Sequence, residues 1–84
     1  MSERTTLPGD GAWHQIGTGP ATVQLLSNGV PVELVCSATE PTGSDGLVLI
    51  NQGDEHTFQL ADAIWAQVVQ QGASVSAIVA VQPE

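Results

Sequence analysis

Residues 21–37, ATVQLLSNGVPVELVCS, carry two alternating apolar runs on either side of an Asn-Gly pair. Asn28-Gly29 is the strongest short signal for a two-residue type I′ turn, because both central positions need positive φ. Counting outward from it predicts a β-hairpin with Leu25 opposite Val32, Val23 opposite Leu34 and Ala21 opposite Cys36, while Gln24 and Glu33 share the other side. One face is then wholly apolar, and a slip of one residue would scatter it. Pro31 falls near the start of the second strand, where a missing donor is best tolerated.

On both sides of this stretch, short apolar runs keep alternating with turn signals. That spacing predicts an all-β fold, a small antiparallel β-sandwich or jelly-roll-like barrel of about six to eight short strands. Residues 47–50, Leu-Val-Leu-Ile, lie between Gly46 and Asn51 and read as a strand buried on both faces. After the tight Asn51-Gln52-Gly53-Asp54 turn, residues 56–60 alternate, with Phe58 and Leu60 as inward candidates. Residues 60–66 have the only helix-compatible composition and fit either one short turn or the start of another strand. Residues 65–69 and 74–81, around Gln70-Gln71-Gly72-Ala73, read as a second hairpin. Its register stays open: a two-residue loop opposes Val68 to Val75, and a three-residue loop opposes Val69 to Val75 and Trp65 to Val79. In both, Val75, Ala77, Val79 and Val81 share one face. Residues 1–12, MSERTTLPGDGA, have only Leu7 as a sizeable apolar group and read as an extended arm ahead of a single domain over residues 13–84.

At 84 residues one thin core is expected. Charged residues are 12% of the chain, about half the usual share, so much of the polar surface must be Ser, Thr, Asn and Gln. Nine acids face one cation, Arg4, which gives a net charge of −8. Phosphate neutralisation needs several Lys or Arg side chains, so nucleic-acid and anionic-membrane partners are disfavoured. Neutral or basic protein partners are favoured. Cys36 is the only cysteine, which rules out an internal disulfide. With no stretch near 20 apolar residues and no apolar signal core in residues 1–6, a soluble protein made in the cytoplasm without export is expected.

The inventory of reactive groups is thin. His14 and His56 lie far apart with no paired-ligand spacing, so solvated or hydrogen-bonded histidines are expected in place of a zinc site. Cys36 falls on the apolar face of its strand, where a small buried thiol is the common use. Asp54 and Glu55 are adjacent and would point to opposite faces of a strand, which suits a solvated turn better than an acid/base pair. Asp45, Asn51 and Asp54 lack the spacing of a calcium loop and are expected to form turns through their side chains. Gly9, Gly11, Gly17 and Gly19 resemble pieces of a phosphate loop, yet no lysine or helix follows. Trp13 and Trp65 could line a carbohydrate or peptide site, although a domain with only Phe58 besides needs at least one of them in its core. No nucleophile, base and orienting group can be assembled, so a non-enzymatic module without cofactor or metal is expected.

The order of elements resembles a group of short phage proteins encoded beside capsid and tail genes. The resemblance is carried by Trp13-His14-Gln15-Ile16-Gly17-Thr18-Gly19, Ala21-Thr22-Val23-Gln24, residues 37–41, Gly46-Leu47-Val48-Leu49 and Ile64-Trp65, spanning about residues 13 to 81. It implies a virion protein: a capsid decoration (cement) protein or a head or tail fibre module, commonly a homotrimer, bound to the major capsid or another virion protein. A tail-associated or host-adhesion carbohydrate-binding module is the alternative. The residues expected to meet a partner are Leu7, Pro8 and Trp13 on the arm and its edge, and Thr42 and Asp45 in the turn-rich loop.

Overall fold

The computed structural model describes residues 3–26, 30–41, 48–70, 72 and 75–83. It contains eight strands: β1 (Glu3–Pro8), β2 (His14–Thr18), β3 (Ala21–Leu25), β4 (Val32–Cys36), β5 (Val48–Ile50), β6 (Glu55–Phe58), β7 (Ala63–Val68) and β8 (Ser76–Pro83). They form two four-stranded antiparallel sheets, β1-β8-β3-β6 and β2-β7-β4-β5. The chain thus doubles back on itself about the β4–β5 connection, pairing β1 with β8, β2 with β7, β3 with β6 and β4 with β5. Rolled so that alternate pairs fall in opposite sheets, this is the strand order of a jelly roll.

That topology corrects both expected hairpins. β3 lies between β8 and β6 in the first sheet, and β4 lies between β7 and β5 in the second. The two strands of each expected hairpin therefore lie in opposite sheets and are not hydrogen-bonded side by side. The apolar alternation itself is right: Ala21, Val23, Leu25, Val32 and Leu34 are all fully buried, and Gln24 is exposed. The Asn28-Gly29 pair lies outside the described residues. Likewise β7 and β8 belong to different sheets, while Ala77, Val79 and Val81 share the buried face as expected.

The N-terminal segment is a strand and not an arm. Residues 3 to 8 pair one for one with residues 81 to 76 of β8, and Leu7 is among the most buried side chains of the molecule. A single large apolar residue is enough to anchor a strand when the alternation puts it on the inward face, as Leu7 is between the exposed Thr6 and Pro8.

Three smaller expectations also change. β5 is an edge strand with Leu49 58% exposed, so it is not buried on both faces. Leu60 follows β6 and is exposed, whereas Phe58 is buried. The segment left open as helix turn or strand becomes β7, because Ile64, Ala66 and Val68 recur at the two-residue period and all point inward.

The core between the sheets is aliphatic apart from Phe58, and no polar side chain is buried among the described residues. Neither tryptophan belongs to it. Trp65 lies on the outer face of the second sheet, directly opposite Val35, and its Nε1–H donates to the Ser37 carbonyl at 3.0 Å. The indole therefore reaches across β4, which explains why Val35 is buried although the alternation turns it away from the core. β2 carries a bulge between Gln15 and Gly17 that lets both Ile16 and Gly17 face inward.

Candidate functional site

The residues expected to contact a partner are not brought together. Leu7 is 1% exposed and holds the core, so it is unavailable as a contact. Pro8 is exposed at the end of β1, and Trp13 is half-buried just before β2 in the other sheet. Thr42 and Asp45 lie outside the described residues.

The candidate reactive groups are each engaged locally. The Asp10 carboxylate accepts the Ala12 N–H at 3.0 Å and lies 3.1–3.2 Å from His14 Nε2. Those two hydrogen bonds, the backbone one first, hold the Asp10 carboxyl below the ordinary carboxylate range. The loop they shape is fastened to the second sheet where Gln67 Nε2–H donates to the Gly11 carbonyl. Asp54 accepts the Asn51 N–H at 3.0 Å through Oδ2 and returns its own N–H to the Asn51 carbonyl at 2.9 Å, so its carboxylate closes a turn. Gly53 inside that turn has φ +87°, a conformation that excludes most side chains. His56 stacks edge-on against Phe58 at 4.7 Å. No group of three or more His, Cys, Asp or Glu side chains converges among the described residues.

Cys36 is half-buried against the core, with Sγ 3.5 Å from the Asp62 carbonyl and 3.8 Å from that of Leu60. Burial raises its thiol above the usual value, and the Asp62 carboxylate pushes the same way. A raised thiol has less thiolate at a given pH, and the thiolate is the reactive form. Alkylation of Cys36 by iodoacetamide at pH 8 is therefore expected to run more slowly than that of free cysteine, recovering in urea. An equal rate in the folded protein would show that the loop around Leu60 and Asp62 opens freely.

What the fold does assemble is the outer face of the first sheet. The register sets one row straight across its four strands: Arg4 on β1, Ala80 on β8, Gln24 on β3 and Glu55 on β6. A second row runs Gln82, Thr22, Thr57, with the two threonine hydroxyls 2.8 Å apart. Between the rows is a shallow depression lined by Thr22, Gln24, Glu55, Ala80 and Gln82. Beyond them on β8, Ile78 is 39% exposed. The face is broad, uncharged at its centre, and carries one charge of each sign at its two margins. Sequence reading could place these residues on the outward side of their strands, yet it could not align them, because they come from four strands spread from Arg4 to Gln82.

Fold and face together define a small jelly-roll β-sandwich domain with a flat, nearly charge-free outer surface. No protein-family model, no curated protein and no solved structure matches the chain.

Proposed function

We propose that this chain is a non-enzymatic assembly module, working as repeated copies on a phage particle in the manner of a capsid decoration protein or head-fibre module. The observation that carries the assembly reading is the charge distribution. In a domain of net charge −8, the outer face of the first sheet presents Arg4 and Glu55 as the only charged groups among the described side chains, and its other groups are Thr, Gln, Ala, Ser, Ile and Pro. Such a face can be covered by protein with little desolvation of ions. The jelly-roll topology agrees with this reading by analogy, since capsid and lectin domains use it, although fold alone does not decide function. The assignment to a particle comes from the resemblance of residues 13 to 81, and copy number on a shell would make weak contacts sufficient.

Mass spectrometry and imaging of purified particles encoded by the same genome test it. The chain is expected at stoichiometric copy number on the particle exterior, with particles lacking it less resistant to heat or dilution. Its absence from intact particles would overturn the virion role. Trp65 on the opposite face is the group that would report the carbohydrate-binding alternative, through quenching of its fluorescence by glycans.

A further inference from the structure

We infer that the outer face of the first sheet is a twofold self-pairing surface, on which Arg4 of each copy meets Glu55 of the other. The inference deepens the assembly reading and rests on it for the purpose of the pair; the pairing itself is argued from charge placement.

Arg4 is the only Lys or Arg in the chain, and it has no ionic partner among the described residues. Glu55 has none either. They occupy the two ends of one cross-strand row, three strand spacings apart, or about 14 Å, which is too far for them to pair within one molecule. A twofold axis running parallel to the strands, between two such faces, turns the row end for end. It sets Arg4 against the second copy's Glu55 at both margins, and Ala80 against the second copy's Gln24 at the centre. One contact therefore satisfies both unpaired charges at once, as an isologous interface requires.

The same charges argue against the other faces. Two copies of charge −8 repel unless their acids are kept apart. Glu33 stands on the outer face of the second sheet, opposite the exposed Leu49, with no cation there to answer it. The remaining acids with described side chains, Asp10, Glu40, Asp54 and Asp62, lie in loops and turns around the sandwich. Among the described side chains, only the Arg4–Glu55 face offers a second copy a cation to set against its carboxylate, whereas pairing through the second sheet would cover Glu33 with no opposite charge to meet it. The exposed Ile78 side chain and the shallow depression over Ala80 supply relief for two such faces to interdigitate.

Four strands about 19 Å across and six residues about 20 Å long give a flat patch of roughly 400 Å² per copy, at the small end for specific interfaces. The pair is accordingly concentration-dependent and weakened by salt.

Sedimentation of the full chain between micromolar and millimolar concentration tests the inference, with far-ultraviolet circular dichroism to confirm that each variant is folded. A monomer–dimer equilibrium is expected. Arg4→Glu and Glu55→Arg each weaken it about tenfold or more, since each reversal sets two like-charge contacts at the interface. The double variant Arg4→Glu/Glu55→Arg restores affinity to within about threefold of the original. A trimer, a monomer throughout, or a dimer indifferent to these reversals would overturn the inference. Particle occupancy measured on the same variants separates the two readings: a chain that coats particles without pairing keeps the assembly role and loses this surface, and one that pairs but never binds particles does the reverse.

Discussion

Deleting residues 1 to 8 is expected to unfold the domain. These residues contain β1, whose six residues are each paired with β8, and Leu7, which is 1% exposed in the core. Removing them turns β8 into an edge strand and uncovers the flank of Ala77 and Val79 that Leu7 and Thr5 now cover. Truncating a buried leucine alone costs about 2–5 kcal/mol. A domain of this size has only about 4–12 kcal/mol of total stability, so losing the whole strand leaves little or nothing. Urea denaturation followed by circular dichroism should show no cooperative transition for the truncated chain, and a markedly lowered midpoint for Leu7→Ala. A truncated chain that still melts cooperatively near the full-length midpoint would return residues 1 to 8 to the role of a dispensable arm.

Gly19→Ala is expected to cost the most of the alanine substitutions at the described glycines, about 3 kcal/mol or more. Gly19 sits at the end of β2, where its N–H donates to the Asp62 carbonyl at 3.0 Å. A Cβ there would fall inside the van der Waals radius of the Leu60 carbonyl oxygen, a backbone atom that no rotamer change can move aside. Relief requires the 59–62 loop to shift, which breaks the Gly19–Asp62 bond and disturbs the carbonyls that Cys36 Sγ touches. Gly17→Ala is the control. Its new methyl would meet only the end of the Val81 side chain, at 3.1 Å, and should cost no more than about 1–2 kcal/mol. Equal losses for the two, read from denaturation midpoints, would show that the loop is free to move away.

Gly19 also shows how a sequence signal can mislead. The glycines at 9, 11, 17 and 19 look like fragments of a phosphate loop when read in a line. In the fold Gly19 answers to a backbone passing close by and Gly11 to a φ of 72°. Both needs come from residues far along the chain or from loop geometry, so spacing alone could not separate them from ligand binding. Leu7 misled for the converse reason. One apolar residue among polar ones carries no periodicity, and only the presence of β8 beside it reveals that a strand is needed there.

The candidate surface was legible in parts. Alternation placed Gln24 outward and Val23 and Leu25 inward, and the structure agrees. The scarcity of charge announced a surface of Thr, Gln and Ser before any strand was placed. Bringing Arg4 and Glu55 to opposite ends of one row required the register of three ladders, which depends on pairings between residues up to 78 positions apart, such as Glu3 with Val81.

Local chemistry alone determined that the chain is all-β, which side of most strands is apolar, and that little charge is available to its surface. A two-residue period is a property of neighbouring residues, and burial of its apolar side is required in any fold. Which strand lies beside which was decided only in three dimensions. An apolar face is covered by the opposite sheet whichever strands lie at its edges, so every choice of neighbours leaves the same alternation in the sequence. The preference for nesting β1 with β8, β2 with β7, β3 with β6 and β4 with β5 is the outcome of closing one aliphatic core between two sheets, a collective requirement that no short stretch of residues contains.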